Sequence, residues 1–333
     1  MNRTAVICGV GGAVPPRIVT NHELSTRLDT SDEWIRTRTG IRQRRVVEPG
    51  TSTGDLAAEA GSRAMKQAGM ASADMVVVAT TTPDRPCPAT APTVATRMGL
   101  VDTPAFDVAA VCSGFIYALQ VATGTIAAGM AESAVVIGAE SFTTILDPED
   151  RTTVAVFGDG AGALALRAGD RSEDGAVLAF DTGSDGSLRD LITVPAGGAE
   201  QRATGKAPAP GDSFFRMQGQ PVFGQAVRRM ADTSRKVLAA TGWEVDDVDR
   251  FVGHQANRRI IEAVAERLGV RPDRAVSNID QVGNTAAASI PLAMADGAAA
   301  GLLAPGDRVL LAAFGGGATW GATTLTWPRL PAL

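Results

Sequence analysis

Cys112, His254 and Asn284 are the residues of this sequence whose types and surroundings could support covalent chemistry. Cys112 follows the apolar run 106–111, which is typical of a buried strand, and precedes a helix of apolar and small residues. The thiol would then lie at a helix start, where backbone N–H groups and the helix dipole lower its pKa and favour the nucleophilic thiolate. For this position alone, a buried cysteine that acts only as a small apolar side chain is the alternative.

A thiol, an imidazole and a carboxamide are compatible with two kinds of covalent chemistry. In a hydrolase of the Cys-His-Asn type, the imidazole is the base and the carboxamide orients it. In thioester chemistry, the cysteine accepts an acyl group while the other two side chains stabilise a developing oxyanion. His22 and His254 are the only histidines, and we expect His22 at the surface. Any histidine chemistry is therefore assigned to His254.

Forming a carbon–carbon bond on a cysteine thioester needs a carbanion as well as an acyl group. The sequence has no second cysteine or glutamate at a comparable helix start, so a base that removes a proton from carbon is not evident. Loss of CO2 from a malonyl unit makes the carbanion directly. The Nε2–H group of His254 and the amide of Asn284 would then be sufficient to hold the enolate oxygen.

The composition is that of an ordinary globular protein. The chain has 333 residues, is 45% hydrophobic and 20% charged, and carries a formal net charge of -5, which argues against bulk nucleic-acid binding. The first apolar run is too short for a signal or a membrane span, so we expect a cytoplasmic protein without a membrane partner. Cys8, Cys87 and Cys112 are too widely spaced for a disulfide framework or a zinc site, and no metal is predicted.

Apolar runs and helical stretches alternate along the whole chain, which indicates an α/β fold. We predict a helix over 21–28 with Asn21 as its N-cap. The segment 29–45 is basic and has no clean period, and it is either a surface loop or an edge where arginines meet phosphates. The other predicted strands are 4–14, 74–80, 106–111, 133–140, 163–167, 176–181, 248–253, 308–314 and 318–327. The other predicted helices are 52–69, 90–98, 115–129, 217–241, 257–268 and 285–301.

A weak internal repeat suggests that the chain consists of two related halves. Phe157–Ala161 resembles Phe314–Ala318, and each precedes the last strand of its half. The helices that follow Cys112 and Asn284 end in a glycine at the same distance. If the halves superpose, Cys112 and Asn284 are equivalent across a pseudo-dyad and face one cavity, which the hydrolase alternative does not explain. The first half has additional residues before its repeat motif; they include Arg151 and could form a lid or a substrate wall.

Four motifs, in order along the chain, resemble those of β-ketoacyl-[acyl-carrier-protein] synthase III, of the thiolase superfamily. They are Val111-Cys112-Ser-Gly-Phe, Gly253-His254-Gln-Ala-Asn257, Val282-Gly283-Asn284-Thr-Ala-Ala-Ala-Ser and Phe314-Gly-Gly-Gly-Ala-Thr-Trp-Gly321. The segments 32–41 and 157–162 also look like the family, so the resemblance covers essentially the whole chain. It implies a thiolase-like fold with two duplicated α/β halves in a five-layered α-β-α-β-α arrangement. The N-terminal half would be 1–170, with Cys112 and the Arg151 insertion, and the C-terminal half 171–333, with His254 and Asn284.

The resemblance also implies a reaction. An acyl-CoA would transfer its acyl group to Cys112, and malonyl-acyl carrier protein would then lose CO2 and attack the thioester, giving a β-ketoacyl-carrier protein. His254 and Asn284 would stabilise the enolate, and the N–H groups of Cys112 and Gly316 would form the oxyanion hole. The enzyme would be a homodimer without a cofactor that starts fatty-acid or polyketide chains.

Six further positions match the contacts that the family makes with CoA. Three of them would bind its adenine and phosphates, namely Trp34, Arg38 and Arg151. The other three would line the path of the pantetheine arm, namely Phe223, Ala256 and Asn257.

Other matching positions concern the acyl pocket and the carrier protein. Phe314 resembles an aromatic residue near the catalytic centre, and Arg259 resembles the basic residue that meets the acidic carrier. Gly224 and Glu266 stand where some members have basic docking residues, so the docking patch is expected to differ. Cys87 stands where some members have a bulky aromatic, in a loop that packs into the partner's acyl pocket. The smaller side chain predicts that starters longer or more branched than acetyl are accepted.

Several alternatives remain open at this stage. One is an acyltransferase that passes the acyl group to an oxygen or nitrogen nucleophile, although that chemistry gives Asn284 no enolate to hold. Another is a catalytically silent partner subunit, which the intact Cys112 argues against. A starter-priming ketosynthase or acyltransferase of a secondary-metabolite pathway is a variant on the same fold, and a cysteine hydrolase is a remote third.

Overall fold

The computed structural model describes residues 2–331; Met1, Ala332 and Leu333, at the outer ends of the two predicted halves, lie outside the described residues. The strands are β1 (Arg3–Ala13), β2 (Ile18–Thr20), β3 (Gln43–Arg45), β4 (Val76–Ala79), β5 (Ala105–Val108), β6 (Ser133–Glu140), β7 (Gly160–Asp170), β8 (Val177–Ser184), β9 (Ile192–Thr193), β10 (Arg216–Met217), β11 (Arg250–Gly253), β12 (Arg308–Gly315) and β13 (Thr319–Thr326). The α-helices are α1 (Asn21–Ser25), α2 (Asp32–Thr39), α3 (Thr53–Ala68), α4 (Ala91–Arg97), α5 (Gly114–Ala127), α6 (Arg151–Val154), α7 (Ala199–Ala203), α8 (Gly219–Thr241), α9 (Arg258–Leu268), α10 (Ile279–Val282) and α11 (Ser289–Ala299). Within residues 2–331, no helix combines the length and the apolar character needed to cross a membrane.

The two main sheets have the same strand arrangement, which agrees with the predicted duplication of an α/β unit. The first sheet has the order β1-β7-β6-β4-β5, and the second has the order β8-β13-β12-β11. In each sheet the first two pairings are antiparallel and the next is parallel. Ala275 forms a single parallel bridge to Phe251 of β11, in the place that β5 occupies beside β4.

Helices cover both faces of each sheet, and this explains why the strands are continuously apolar. In β6, Val135 and Ile137 belong to a buried cluster with α3 and α4, whereas Ala134 and Val136 belong to a cluster with α5 and α11. A third cluster joins β11 and β12 to α8 and α9. The layers are therefore α3/α4, the first sheet, α5/α11, the second sheet and α8/α9. The five-layered α/β arrangement is confirmed.

The basic segment 29–45 is regular structure and not a surface loop. Asp32–Thr39 forms α2, and Gln43–Arg45 forms β3, which pairs with β2. The apolar period of α2 is unclear because only Ile35 and Thr39 of this short helix are buried. Its remaining side chains are available for ligand contacts.

The predicted N-cap of α1 is wrong by one residue. The Thr20 hydroxyl accepts the hydrogen bond from the Glu23 amide at the start of α1. Asn21 is buried, and its carboxamide donates to Asp32 and accepts from Arg44, at 2.8 and 2.9 Å. The side chain therefore ties α1 to α2 and β3 and is not free to cap a helix.

Both central helices begin in the same strained turn. Val111 (φ 47°) and Ala286 (φ 45°) are left-handed, and each is the first residue of a short 3-10 turn, which leads into α5 in the first half and into α11 in the second. The residue after each is Cys112 in one half and Ala287 in the other, so the counterpart of Cys112 is Ala287 and not Asn284. Counting from the terminal glycines misaligns the halves because α5 has 14 residues and α11 has 11.

Candidate active site

The turn that carries Cys112 lies between β5 and α5, and hydrogen bonds tie it to the second half. The strand before it ends at Val108, three residues earlier than predicted, and 111–113 forms the 3-10 turn. The Ser113 hydroxyl oxygen lies within hydrogen-bond distance of the Ala110 carbonyl oxygen, at 2.9 Å, and of Thr319 Oγ1, at 2.7 Å. Because Thr319 begins β13, the position of the thiol depends on both halves.

Burial raises the pKa of the Cys112 thiol above its ordinary value, and the nearby Glu140 carboxylate raises it further. A hydrogen bond from the residue's own N–H lowers the pKa only in part. The predicted lowering at a helix start is therefore wrong for this state, because desolvation of the thiolate outweighs the helix dipole. Cys112 is therefore a thiol here, and it would have to lose its proton to act as a nucleophile.

Glu140, the last residue of β6, is a buried carboxylate that sequence analysis missed. It accepts hydrogen bonds from the Thr81 amide at 3.0 Å, the Thr82 amide at 3.1 Å and the Thr82 hydroxyl at 2.7 Å. Burial raises the pKa of Glu140 to about 7, although these donors lower it in part. The bonds fix the loop after β4. In the sequence, only the position of Glu140 at the end of an apolar strand indicated that this carboxylate could be buried.

His254 directly follows β11 and is buried, with 3% of its surface exposed. Its backbone amide donates to the Ala312 carbonyl at 2.8 Å, and its Nδ1 lies 2.6 Å from the Ser289 hydroxyl. Burial lowers the pKa of His254 to about 3. The imidazole is therefore neutral at physiological pH and can act as a hydrogen-bond donor without first losing a proton.

Asn284 is fixed by both its backbone and its carboxamide. Its amide donates to the Val156 carbonyl at 2.9 Å, and its carbonyl accepts from the Gly158 amide at 3.0 Å. The carboxamide oxygen accepts from the Ala286 amide at 2.9 Å. Since the oxygen is already occupied, the NH2 group is the part of Asn284 that can donate to a ligand.

Arg44 packs against the segment that contains Asn284, and the sequence analysis did not single it out. The side chain is 1% exposed, and its guanidinium donates to the carbonyls of Val19 at 3.1 Å and Ala155 at 2.6 Å. Burial lowers its pKa to about 10. A Cβ added to Gly158 or Gly283 would lie within 3.1 Å of Arg44 Cβ, so the chain passes closely over this side chain. The basic run in the sequence did not distinguish this buried arginine from exposed ones.

Three phenylalanines enclose the catalytic turns. Cys112 and Ala286 share one buried cluster with Phe142, Phe157 and Phe215. The rings of Phe142 and Phe157 are stacked with centroids 4.4 Å apart, and Phe215 meets both edge-on at 5.0 Å. Two of these rings come from the residues between β6 and β7, where the second sheet has only a short turn. The insertion that was expected to form a substrate wall therefore lies against the nucleophile.

Gly315 and Gly316 pack directly on the turn that carries Cys112. A Cβ at Gly315 would lie 2.8 Å from the Cys112 nitrogen, and one at Gly316 would lie 3.0 Å from Val111 Cγ2. Both positions need glycine for this close approach. The contact places the Gly315–Gly316 segment against the turn that carries Cys112. An oxyanion hole made by the N–H groups of Cys112 and Gly316 stays a prediction.

The three residues expected to bind adenine and phosphate come together on the surface. Trp34 is half-buried on α2, and the guanidinium carbons of Arg38 and Arg151 lie 4.8 and 5.7 Å from its ring centroid. Arg151 also forms an ion pair with Asp29 at 2.8 Å. An aromatic face flanked by two cations suits a planar base carrying phosphates.

The residues expected along the pantetheine arm lie on the neighbouring face. A cavity of about 540 Å³ is lined by Arg38, Gly219, Gln220, Phe223, Asn257 and Arg259. Asn257 also caps α9, accepting from the Ile260 amide at 2.9 Å, and Ala256 packs against the α8/α9 cluster. Phe314 lies in that cluster and not among the rings around Cys112.

A second cavity, of about 700 Å³, lies on the other side of the catalytic turn. Val111 forms its inner wall, and its remaining lining includes Thr81, Thr82, Ile145, Ile192, Val194 and Phe215. Pro83, Asp84 and Pro86 also line it, in the loop that contains the exposed Cys87. Within residues 2–331, no group of His, Cys, Asp or Glu side chains has the arrangement of a metal site.

Comparison with known proteins identifies relatives over the whole chain. Residues 106–186 match the family model described as 3-Oxoacyl-[acyl-carrier-protein (ACP)] synthase III, and residues 238–327 match the model of its C-terminal part. Beta-ketoacyl-[acyl-carrier-protein] synthase III 5 of Streptomyces coelicolor is 59% identical over 333 residues, covering 100% of both chains.

Solved structures agree in fold. The crystal structure of 3-oxoacyl-(acyl carrier protein) synthase III from Pseudomonas aeruginosa superposes with a TM-score of 0.93 at 48% identity, covering 99% of this chain and 100% of that chain. The priming β-ketosynthase from the R1128 polyketide biosynthetic pathway superposes with a TM-score of 0.91 at 33% identity, covering 99% of this chain and 98% of that chain.

Proposed function

The chain belongs to the β-ketoacyl-[acyl-carrier-protein] synthase III family of condensing enzymes, and from this premise we propose which of its residues carry each step. In the first step, the Cys112 sulfur attacks the thioester carbonyl of an acyl-CoA and loses its proton. The bond to the CoA sulfur breaks, and CoA leaves as the thiol. The N–H groups of Cys112 and Gly316 hold the oxyanion of the tetrahedral intermediate.

In the second step, malonyl-acyl carrier protein occupies the site that CoA has left. The bond between the malonyl carboxylate and its α-carbon breaks, CO2 leaves, and the electron pair forms an enolate. His254 and the NH2 group of Asn284 donate hydrogen bonds to the enolate oxygen. The carbanion then attacks the carbonyl of the acyl-Cys112 thioester. A carbon–carbon bond forms, the bond between the acyl carbon and the Cys112 sulfur breaks, and the thiolate takes a proton from water, which gives a β-ketoacyl-carrier protein and the free cysteine.

The observation that supports this assignment is that His254 and Asn284, the two residues proposed to hold the enolate, are both neutral hydrogen-bond donors. His254 stays neutral because it is buried, and the oxygen of Asn284 is already occupied by the Ala286 amide. Neutral donors stabilise an enolate without a proton transfer from carbon. Decarboxylation is the route to a carbanion that such a site supports.

The surface that flanks the site supports CoA and carrier binding. Trp34 would stack on adenine, with Arg38 and Arg151 beside it to pair with phosphates. Phe223, Ala256 and Asn257 would then guide the pantetheine arm inward. Arg259 is exposed on α9, with its guanidinium carbon 6.0 Å from the Phe223 ring centroid, and would meet the acidic carrier at the mouth of this path.

We extend the proposal to a homodimer in the cytoplasm that needs no cofactor. β5 is the edge strand of the first sheet, and its Phe106 is 37% exposed. An unpaired apolar edge is suited to pairing with a second copy. The loop with Cys87 would then complete the partner's acyl pocket. Because that side chain is small, starters longer or more branched than acetyl would fit, and efficient turnover of acetyl-CoA alone would contradict this.

A second candidate is a priming ketosynthase of a polyketide pathway. The likeness to the R1128 priming enzyme, at 33% identity over nearly the full chain, favours this reading beside a fatty-acid role. The chemistry is the same, and the starter acyl group and the carrier protein differ. A panel of starter acyl-CoA substrates with fatty-acid and polyketide carriers would separate the two.

Intact-protein mass spectrometry after mixing with an acyl-CoA tests the first step. We expect one acyl adduct, on Cys112, and release of β-ketoacyl product once malonyl-carrier protein is added. An enzyme that forms no adduct would be a silent partner subunit. An enzyme that loads but passes the acyl group to oxygen or nitrogen, without losing CO2, would be an acyltransferase.

A further inference from the structure

The first residue of α11, Ser289, contacts the ring of His254. Its hydroxyl oxygen lies 2.6 Å from Nδ1, and the Gln255 amide points at the same oxygen from 3.4 Å. Both side chains are buried, with 1% of Ser289 and 3% of His254 exposed. Within the part of the chain that the structure describes, these two groups are the hydrogen-bond partners of the hydroxyl.

A neutral imidazole carries its proton on one ring nitrogen only, and the partner of the other nitrogen decides which. If the Ser289 hydroxyl donates to Nδ1, its lone pair accepts from the Gln255 amide, and every group is satisfied. If Nδ1–H donates to the hydroxyl instead, the hydroxyl proton has no acceptor in this buried place. We infer that Ser289 is a positioning residue that fixes His254 in the tautomer with its proton on Nε2.

This tautomer matters because it decides whether the imidazole attracts or repels an enolate. With the proton on Nε2, that nitrogen donates to the enolate oxygen. With the proton on Nδ1, Nε2 would present a lone pair to a negative oxygen. The position of Ser289 at the start of α11 acts in the same direction, because a helix N-terminus disfavours a positive imidazolium.

The inference rests on the proposed function, since it concerns the donor that holds the enolate, but its first test does not depend on activity. The chain contains two histidines. Nitrogen NMR of the full-length protein labelled with 15N-histidine therefore shows two imidazoles, and a His22→Gln variant assigns them. We expect His254 to be neutral, with a protonated Nε2 and an unprotonated Nδ1.

Ser289→Ala removes the hydroxyl that we infer donates to Nδ1. We expect the NMR spectrum of this variant to show a mixture of both tautomers. Condensation with malonyl-carrier protein should fall by roughly tenfold, as for loss of about one hydrogen bond, while acyl loading of Cys112 stays within about twofold. Ser289→Thr retains the hydroxyl and should restore the tautomer and the rate.

Ser234→Ala is the matched control. Ser234 is a fully buried serine of α8 whose hydroxyl has no partner, and it lies outside the proposed site. Its replacement makes the same chemical change and should leave both the His254 spectrum and the condensation rate unchanged. A general effect of removing a buried hydroxyl would show in both variants.

Each outcome decides the inference. A wild-type spectrum with the proton on Nδ1 would overturn it, even if Ser289→Ala does not fold. Loss of condensation in Ser289→Ala with an unchanged tautomer would also overturn it, since the serine would then act in another way. A wild-type enzyme that shows the Nε2–H tautomer but releases no CO2 would contradict the proposed function and leave the tautomer assignment in place.

Discussion

The turn at 111–113 and the turn at 286–288 have the same backbone but different tasks. Val111 and Ala286 have φ angles of 47° and 45°, and each turn leads into a helix of the central layer. In the first turn the next residue is Cys112, the proposed nucleophile. In the second turn all three residues are alanine, and the side chains proposed to act, Asn284 and Ser289, lie just before and just after it.

The difference shows how one scaffold can hold two steps of a reaction. The strained backbone is a property of both halves and serves the packing of α5 and α11 between the sheets. Chemistry depends on which side chains surround that backbone. In the proposed reaction, Cys112 of the first half accepts the acyl group, and His254 and Asn284 of the second half stabilise the enolate.

Replacing Cys112 should distinguish the proposed roles of the two turns with the largest effect. Cys112→Ser should reduce acyl loading by at least ~1,000-fold, because an alcohol without a nearby base is a poor nucleophile. Intact-protein mass spectrometry with acyl-CoA measures it. Cys8→Ser, in β1, serves as the control and should load normally. An adduct of unchanged yield in Cys112→Ser would place the nucleophile elsewhere.

Asn284→Ala removes the donor that stands just before the second turn. We expect loading of Cys112 within about twofold of wild type and condensation slower by about 100- to 1,000-fold, the usual loss for one oxyanion donor. Loading is measured by mass and condensation by product formation in the same sample. Normal condensation by this variant would refute the role of Asn284 in holding the enolate.

The pH dependence of protein stability tests whether His254, near the second turn, is buried as a neutral imidazole. Its pKa is about 3 in the folded protein against an ordinary value of 6.5, so between these values the unfolded chain binds the additional proton. The free energy of unfolding should therefore fall as the pH falls through this window, by up to ~1.4 kcal/mol per pH unit from this group. Denaturant titrations of wild type and His254→Gln measure the difference. Below pH 6.5 the unfolding free energy of the variant should fall less steeply with falling pH than that of wild type. Above pH 6.5 the two should change in parallel. The same pH dependence for both proteins over the whole range would contradict the burial of a neutral His254.

Gly315→Ala and Gly316→Ala should lower the free energy of unfolding by different amounts, because the added methyl group would contact different atoms in each variant. At Gly315 the added methyl would meet the backbone nitrogens of Cys112 and Ser113, at 2.8 and 3.0 Å, which cannot move aside. We expect a loss of about 1–3 kcal/mol in unfolding free energy and slower loading. At Gly316 the nearest atoms belong to side chains, so the loss of stability should be smaller. Equal losses in denaturant titrations would contradict this explanation.

The smallest effect concerns the strain that the two turns share. Ala286→Gly should raise the free energy of unfolding by about 0.5–1 kcal/mol, because glycine adopts a positive φ without a Cβ clash. Val111→Gly relieves the same strain but loses the packing of the valine side chain, so its gain should be smaller or absent. Thermal unfolding of both variants checks the difference. Destabilisation by Ala286→Gly would show that the turn is not strained.

The sequence predicted helices and strands correctly where the residues of the element itself determine its structure. The strand 133–140 and the helix that ends at Gly69 were located correctly, because an apolar run and a C-terminal glycine need no information from elsewhere. The helix predicted over 257–268 was also located correctly, with Asn257 as its N-cap. The short helix α2 was missed because its buried face contains only two residues.

The site was predicted in its residue types but not in its environment. Motifs located Cys112, His254 and Asn284, yet the direction of the thiol pKa depends on burial and on Glu140, which is distant in sequence. The sequence revealed the repeat, but the glycine spacing aligned its halves wrongly. The geometry of the two turns shows that Ala287 is the residue equivalent to Cys112. Ser289 contacts the imidazole only because α11 begins beside the end of β11, and no local pattern carries that information.

The most direct test uses enzyme whose Cys112 already carries an acyl group, mixed once with malonyl-carrier protein labelled in its carboxyl carbon. The account predicts one labelled CO2 and one β-ketoacyl product for each acyl-Cys112 consumed, with both slowed to the same extent in Asn284→Ala. Consumption of acyl-Cys112 without release of labelled CO2 would contradict it.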